Sequence, residues 1–485
     1  MSTTAQSPPA EQPTDSVADP AATRRDRSAP SLEPLLRRLH FYVGVFVAPF
    51  LVVAALTGLA YTVTPQLDEI AYGDHLHVAA VGTSTVSLAE QVDAARAVVP
   101  DGTVVTVSPP AAADATTKVV FSVPDLGENN RTVYVDPYTG QIRGTLTTWF
   151  GSTPLTTWLD ELHRTLLLGE FGSIYTEIAA SWLWVLVLGG LALWWRRQRG
   201  HRRVRRMIRP DLRANAGVRR TRGWHASTGV WIAIVLLVLS ATGLTWSTYA
   251  GARFDLVQEA FDSTKKAPDT TLTTSAHEGH TGGGDSEPAA ADLSNVDSVL
   301  AVARKQGLSG PVDITPAAEG EAWTVTQTDN VWPVHYDAVA VDPGTFAVTD
   351  HVRWADQPLL AQLSTLGVQA HMGLLFGLAN QLVLAVTAIG LLAMIFWGYR
   401  MWWQRRPTRA DRRRPLGTPP LRSTWRNLPS VPLAIGAVAV VALGWALPLL
   451  GLSLAAFLVV DLLAGLVIRR RTRQAAVGSV EEVAR

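Results

Sequence analysis

Long apolar runs separated by polar segments dominate the chain. Four runs can each cross a bilayer, since a helix of about 20 residues spans a hydrocarbon core of roughly 30 Å. A fifth tract contains Pro448 and Gly451 near its middle, which predicts two short spans joined by a tight turn. The pattern therefore predicts six transmembrane helices. The four runs and the fifth tract are 41–64, 174–195, 228–249, 380–403 and 431–468.

The distribution of charge predicts the topology. We count 30 of the 42 Lys and Arg in four segments that flank the apolar runs: 1–40, 196–227, 404–430 and 469–485. Positively charged loops stay in the cytoplasm, so both termini are expected there and the two long loops are expected outside. Because each Arg run adjoins a span, we interpret it as a topology signal that contacts membrane lipid, and we expect no nucleic-acid binding.

Both long loops show the pattern of a small α+β domain. In the first, Ser87 and Glu90 form a capping box for a helix over 87–99, and strands are predicted at 104–107, 118–123 and 132–135. In the second, a helix is predicted at 296–305 and strands at 322–327 and 338–341. Each domain has a turn that begins with Asp-Pro, at 136–140 and 342–345, and in the first domain residues 141–144 resume the hairpin after it.

The sequence excludes disulfides and several kinds of cofactor site. The chain has no cysteine, which rules out disulfides, cysteine-ligated iron–sulfur clusters and covalent haem attachment through C-x-x-C-H. It also lacks a phosphate-binding G-x-x-x-x-G-K-[ST] motif and a convincing dinucleotide-binding G-x-G-x-x-G motif. Any haem must therefore be bound without a covalent link.

An internal repeat relates the two halves of the chain. At an offset of 185 residues, His40 matches His225, and Thr57-Gly58-Leu59 matches Thr242-Gly243-Leu244. At an offset of 208 residues, His163 matches His371, and Trp194-Trp195 matches Trp402-Trp403. The predicted fold class is an α-helical integral membrane protein with a duplicated 2+2 transmembrane helix core, a C-terminal helical hairpin and two extracytoplasmic α+β domains.

A family resemblance rests on the ends of the two domains and on the spans around them. The segments VYVDPYTGQIRG and AVAVDPGTFAVTD resemble PepSY domains, although Gly344-Thr345-Phe346 replaces Tyr138-Thr139-Gly140 in the second. Their insertion between spans such as RRLHFYVGVFVAPFLVVAALTGL resembles the PepSY-associated transmembrane family over residues 33–405. That family includes bacterial iron-regulated membrane proteins and inner-membrane ferrisiderophore reductases. The resemblance implies bound haem and a place in the bacterial cytoplasmic (inner) membrane.

The predicted organisation follows from the spans, the loops and the resemblance. Residues 1–33 and 469–485 are cytoplasmic tails, the first one disordered, and 198–222 and 405–430 are cytoplasmic loops. The two PepSY-like domains are 65–160 and 296–360, the second preceded by a linker at 251–295. The membrane segments, of which the second and fourth include a preceding histidine segment, are 34–64, 161–197, 223–250, 361–404 and the hairpin 431–468.

The paired histidines are the candidate iron ligands. Haem iron in an electron-transfer site takes two axial ligands, often from facing helices. Pairing the repeat-related residues places one non-covalent haem b near the cytoplasmic face, held by His40 and His225. The second lies near the outer face, held by His163 and His371.

Neighbouring residues extend the two candidate sites. Gly44 and Gly229 lie one helical turn after the inner histidines and leave room for a macrocycle, although glycine also serves helix packing in membranes. Arg37 and Arg222 lie close enough in sequence to pair with haem propionates, or they anchor the helix at the interface.

Three functions are compatible with the sequence. The leading hypothesis is di-haem electron transfer from a quinol or a cytoplasmic reductase to an extracytoplasmic acceptor, and the resemblance suggests a ferric siderophore as that acceptor. The alternatives are a non-enzymatic PepSY protein that regulates an envelope peptidase and an accessory of haem or iron uptake. Asp461, inside the last predicted span, is either a proton-handling group or a helix–helix hydrogen-bonding residue.

Overall fold

The chain folds into long apolar helices and an eight-stranded sheet. A computed structural model describes residues 33–198, 217–272, 292–317, 320–404 and 430–483. The helices in these ranges are α1 (Glu33–Phe46), α2 (Ala48–Tyr61), α3 (Thr64–Leu76), α4 (Leu88–Arg96), α5 (Pro154–Thr165), α6 (Gly169–Gln198), α7 (Val218–Leu244), α8 (Thr248–Ala260), α9 (Val296–Lys305), α10 (Leu359–Met372), α11 (Leu378–Gln404), α12 (Ser430–Ala446) and α13 (Pro448–Val483). The strands are β1 (Thr103–Ser108), β2 (Thr117–Ser122), β3 (Asn130–Val135), β4 (Ile142–Thr148), β5 (Val312–Thr315), β6 (Trp323–Gln327), β7 (Ala338–Val341) and β8 (Val348–Val352).

The apolar helices identify a multi-pass membrane protein. Helices α6, α7 and α11 and the segment Pro448–Val467 of α13 are each long and apolar enough to cross a membrane. The first span consists of α1 and α2, which meet at an angle of 57°. Pro49 explains this break, because proline in the first turn of α2 cannot donate a backbone hydrogen bond to the preceding helix.

The C-terminal tract differs from the prediction of two full spans. Its first helix, α12, has an apolar segment of only Ala434–Ala446, shorter than a span, so the described residues contain up to five helices of spanning length, where six were expected. A tight turn joins α12 to α13, since a Cβ added at Gly451 would lie 2.7 Å from Cα of Gly444. The side chain of Asp461 lies outside the described residues.

Four spans form the helical core. The α1–α2 pair packs against α6, α6 against α7, α7 against α11, and α11 against α2, so the first span and α7 face each other diagonally. Their shared apolar core includes Leu51 from α2, Trp182 from α6 and Leu236 from α7. The C-terminal hairpin packs outside this ring, where the indole Nε1 of Trp182 donates to Oγ of Ser453 over 2.9 Å.

The two long loops form a single antiparallel sheet rather than two separate ones. The strand order is β4-β3-β2-β1-β5-β6-β7-β8, and the halves join where β1 pairs with β5, with Val107 opposite Ile314. Helices α4 and α9 pack side by side against it. The predicted capping box of Ser87 and Glu90 is confirmed at the start of α4.

The joint between the halves is hydrogen-bonded as well as apolar. The carboxylate of Asp297, in the first turn of α9, accepts the amide N–H groups of Leu88 and Ala89 over 2.8 and 2.9 Å. It thereby satisfies donors at the N-terminus of α4 that have no partner within their own helix. The hydroxyl of Ser108 donates to Asp313 over 2.5 Å. The two halves of the sheet are therefore linked by side chains as well as by strands.

Several elements were not predicted from the sequence. Helix α3 follows the first span, and helix α8 follows α7. Strands β5 and β8 complete the second half of the sheet. In the predicted linker, residues 273–291 lie outside the described residues. Thr271, just before that gap, forms a bridge with Glu321.

Candidate cofactor sites: two histidine pairs

His163 and His371 face each other at the end of the bundle that leads to the sheet, and we call them the sheet-side pair. They lie near the ends of α5 and α10, the helices that precede α6 and α11. Their ring centroids are 6.4 Å apart, with an angle of 65° between the ring planes. The structure therefore brings together the two residues that the 208-residue offset had matched.

Each ring of the sheet-side pair is held by a threonine hydroxyl. Nδ1 of His163 lies 2.8 Å from Oγ1 of Thr57, and Nδ1 of His371 lies 2.8 Å from Oγ1 of Thr242. The Thr57 hydroxyl also lies 2.9 Å from the carbonyl oxygen of Val53, which can only accept. Both contacts can be hydrogen bonds only if the hydroxyl donates to the carbonyl and Oγ1 accepts the Nδ1 proton of His163. The lone pair of the ring is therefore left on Nε2.

A glycine lies beside each of these rings. A Cβ added at Gly58 would be 3.4 Å from Cε1 of His163, and one added at Gly243 would be 3.2 Å from Cε1 of His371. A Cβ at Gly243 would press on the imidazole of His371, and one at Gly58 would lie at the limit of ordinary contact with His163. The Thr-Gly dipeptide of each span thus contacts its histidine twice, through a hydrogen bond and through a close approach.

His40 and His225 form the distal pair at the other end of the bundle. His40 lies in α1 and His225 in α7, the two diagonal helices of the core. Their ring centroids are 6.2 Å apart and their planes are inclined by 83°. The two pairs are separated along α7 by about 25 Å, the rise from residue 225 to residue 242 at ~1.5 Å per residue.

Backbone carbonyls take the place of threonine at the distal pair. Nδ1 of His225 donates to the carbonyl oxygen of Met394 over 2.9 Å. Nδ1 of His40 is buried and faces the carbonyl of Leu186 without completing a hydrogen bond. A carbonyl oxygen only accepts, so the proton of His225 is on Nδ1 and the lone pair is on Nε2.

Glycines also adjoin the distal rings. A Cβ added at Gly190 would lie 3.1 Å from Cε1 of His40, and one at Gly398 would lie 3.9 Å from Cε1 of His225. Both glycines follow, by one helical turn, the residue whose carbonyl faces the ring. The helix next to each histidine therefore offers an acceptor and a close surface together.

The spacing of both pairs fits two imidazoles on opposite sides of one metal. A metal–imidazole bond of about 2 Å, with the nitrogen ~1 Å from the ring centre, puts two ring centres about 6 Å apart. Among the described residues, no three His, Cys, Asp or Glu side chains gather into a group that could hold a metal ion. Two facing imidazoles without a third protein ligand suit a haem iron, whose porphyrin supplies the remaining four nitrogens.

The other predicted site residues lie beside the distal pair rather than within it. Side chains from neighbouring helices occupy the space beside Gly44 and Gly229. A Cβ added at Gly44 would lie 3.8 Å from Cδ2 of Leu186, and one added at Gly229 would lie 3.0 Å from Cε of Met394. This placement matches the helix-packing alternative. Arg37 forms an ion pair with Glu33 of its own helix turn.

Arg222 remains a candidate propionate partner by position. It lies in α7, one turn before His225, and is half-buried. These contacts do not test whether Arg37 and Arg222 bind propionates, so that role stays a prediction.

Sequence reasoning missed the residues that orient the rings. The repeat contains Thr57-Gly58 and Thr242-Gly243, but a dipeptide inside an apolar run does not show which side chain it contacts. Gly190 and Gly398 stand at the same 208-residue offset as the sheet-side histidines, which is the signal that could have found them. Glu177, buried in α6, was overlooked because a single acid does not interrupt an apolar run.

Comparison with known proteins identifies one family. The family model of the PepSY-associated TM region matches residues 37–405, which include all four histidines of the two pairs. No curated protein matches the chain.

Proposed function

The chain belongs to the PepSY-associated TM family, and from that premise we propose that it carries electrons across a bacterial cytoplasmic membrane through two non-covalent haem b groups. In this proposal a duplicated 2+2 helix core holds one haem at the distal pair and the other at the sheet-side pair. The termini and Arg-rich loops are cytoplasmic, and the sheet lies outside.

The observation that carries the proposal is the orientation of the facing imidazoles. In both pairs two rings from different helices lie 6.2 to 6.4 Å apart. The carbonyl partner of His225 Nδ1 leaves the lone pair on Nε2, and the threonine contacts of His163 and His371 favour the same tautomer. When bound, haem supplies one-electron redox chemistry, and the role of the protein is to fix the axial ligands and exclude water.

The donor and acceptor are proposed from topology and resemblance. The distal pair lies at the end of the bundle next to the Arg-rich loops, so the donor is a membrane quinol or a cytoplasmic reductase. The sheet-side pair adjoins the proposed outer domain, so the acceptor is extracytoplasmic. A ferric siderophore suits this position, because one electron converts Fe(III) to Fe(II), which hard oxygen donors hold less tightly.

A reduced-minus-oxidised visible spectrum of the full-length purified protein, with haem supplied during expression, tests this proposal. We expect b-type bands and about two haems per chain. A colourless protein would overturn the electron-transfer proposal and would instead support a non-enzymatic PepSY protein that regulates an envelope peptidase.

Haem as cargo is separated from haem as cofactor by a kinetic measurement. Protein reduced with dithionite and freed of excess reductant is mixed with a ferric trihydroxamate chelate, and Fe(II) is trapped by a ferrous chelator. We expect the bands to reoxidise as Fe(II) appears. Release of intact haem without Fe(II) formation would point to an uptake accessory.

A further inference from the structure

The repeated Thr-Gly dipeptide of the two spans has a role that the duplication alone does not assign. We propose that Thr57-Gly58 and Thr242-Gly243 are positioning residues that set the tautomer and the rotation of the sheet-side histidines. The inference rests on the proposed function, because it concerns how two of the proposed iron ligands are oriented.

Each threonine hydroxyl contacts a backbone carbonyl oxygen and a histidine nitrogen. The Thr242 hydroxyl lies 2.9 Å from the carbonyl oxygen of Val238, one turn earlier in α7, and 2.8 Å from Nδ1 of His371. The carbonyl oxygen can only accept, so the arrangement that forms both hydrogen bonds has the hydroxyl donate to the carbonyl and accept from Nδ1. Thr57 makes the same two contacts in the first span. Each threonine therefore selects the tautomer that presents Nε2 as an iron ligand.

The glycines restrict where the rings can lie. A Cβ added at Gly243 would lie 3.2 Å from Cε1 of His371, which is a few tenths of an ångström too close. A Cβ added at Gly58 would lie 3.4 Å from Cε1 of His163, at the limit of ordinary contact. The hydroxyl fixes one edge of the ring, and the glycine lets the ring lie against the helix. The two contacts together leave little freedom for rotation about the Cβ–Cγ bond.

The positioning also affects the iron. A hydrogen bond from the second ring nitrogen raises the basicity of a metal-bound histidine, and loss of such a partner costs about 10–100-fold in metal affinity. A more basic imidazole stabilises Fe(III) over Fe(II). The threonines are therefore expected to strengthen haem binding and lower the reduction potential at the sheet-side pair.

Threonine-to-valine variants of the full-length haem-loaded protein test this role. In Thr57→Val and Thr242→Val we expect haem at the sheet-side pair to bind about 10–100-fold more weakly and its midpoint potential to rise. The distal haem stays unchanged as an internal reference. Thr57→Ser and Thr242→Ser, which keep the hydroxyl, restore both properties.

A matched control excludes a general effect on the helix. Thr245→Val removes a hydroxyl that, within the described part of the chain, donates to the carbonyl oxygen of Thr242 over 2.7 Å and contacts no histidine, and it should leave both potentials as in the wild type. If Thr242→Val behaves like Thr245→Val, or if serine fails to restore the potential, the positioning role is overturned.

A measurement without haem keeps this inference separate from the proposed function. Nitrogen-15 NMR of the histidine-labelled full-length protein reports which ring nitrogen carries the proton, and His163→Ala and His371→Ala assign the signals. We expect the Nδ1–H tautomer in the wild type and a mixture in the valine variants. An Nε2–H tautomer in the wild type, or no change in the variants, overturns the inference even if haem binds. A protein that shows the expected tautomers but binds no haem overturns the proposed function alone.

Discussion

The hydroxyl of Tyr399 in α11 donates a hydrogen bond of 2.9 Å to the carbonyl oxygen of Val45 in α1. Val45 lies four residues before Pro49, which has no N–H to offer that carbonyl. The helix bends by 57° at this point. In the second half, Ile234 stands at the position that the 185-residue offset matches to Pro49, and α7 runs unbroken from Val218 to Leu244. Tyr399 thus satisfies a carbonyl that the bend leaves without its helical partner.

Removal of the Tyr399 hydroxyl should destabilise the wild-type protein but not a variant without the proline. Tyr399→Phe leaves the carbonyl oxygen of Val45 without a partner, which should lower the free energy of unfolding by about 1–3 kcal/mol. In Pro49→Ala the new N–H can serve Val45, so the further change to Phe should cost less. Denaturation in detergent of the wild type, both single variants and the double variant measures this coupling. Additive effects would show that the hydrogen bond does not compensate for the proline.

Single histidine substitutions should remove one haem each. His40→Ala removes a proposed iron ligand from the distal pair, and His371→Ala removes one from the sheet-side pair, about 25 Å further along the bundle. We expect each variant to keep about one haem and to lose a different step in a redox titration. His335→Ala, which removes an exposed histidine beside Asp329 in the loop between β6 and β7, is the control and should keep both. Equal loss of both haems from each variant would contradict two separate sites.

The sequence predicted which histidine rings lie together, because the matched offsets give the two members of each pair equivalent positions in the two repeats. It also predicted the start of α4, since a capping box is a local signal between Ser87 and Glu90. It did not predict the union of β1 with β5. That pairing joins Val107 to Ile314, and no local pattern specifies a contact between residues so far apart in the chain.

Side-chain roles inside the bundle were harder to predict for a physical reason. Thr57 and Glu177 are polar residues in apolar runs, and their partners lie on other helices. Thr57 contacts His163 on α5, and Glu177 accepts backbone N–H groups at the start of α8. Periodicity reports which face of a helix is buried, not which hydrogen bond it makes there. The repeated Thr-Gly dipeptide was visible, but only the geometry shows that the histidine is its partner.

Two adjacent glycines of α6 provide a matched test of the distal site. Gly190→Ala would place a Cβ 3.1 Å from Cε1 of His40, whereas a Cβ at Gly189 would meet nothing within 4 Å. We expect Gly190→Ala to displace the His40 ring and change the spectrum and midpoint potential of the distal haem. Gly189→Ala should match the wild type, as should the sheet-side haem in both variants. The same spectral change in both glycine variants would point to the helix rather than to the ring contact.

The buried carboxylate of Glu177 should hold the start of α8. Its two oxygens each accept a backbone N–H over 3.0 Å, from Tyr249 and Ala250 in the first turn of α8. Glu177→Ala leaves both donors without this partner. We expect the free energy of unfolding to fall by about 1–3 kcal/mol and amide exchange at the start of α8 to become faster. The control is Glu170→Ala, which removes an exposed acid from the same helix. Unchanged exchange at Tyr249 and Ala250 in Glu177→Ala would contradict the capping role.

The ion pair of His77 should make a pH-dependent contribution to the stability of the sheet domain. The hydrogen bond to Glu69, with smaller help from nearby Asp114, raises the pKa of His77 above its ordinary value of 6.5. Because the folded-state pKa is the higher one, the stabilisation is fully present below pH 6.5 and is lost as pH rises through the folded pKa. The contribution is small, since the pair is exposed to solvent.

Denaturation curves across this pH range test the contribution of His77. The difference in stability between wild type and His77→Gln should be largest at acidic pH and should vanish at alkaline pH. In Glu69→Gln, which removes the main partner, His77→Gln should have less effect at acidic pH. A difference that grows as pH rises would mean that the neutral imidazole, not the imidazolium, is the form bound by Glu69.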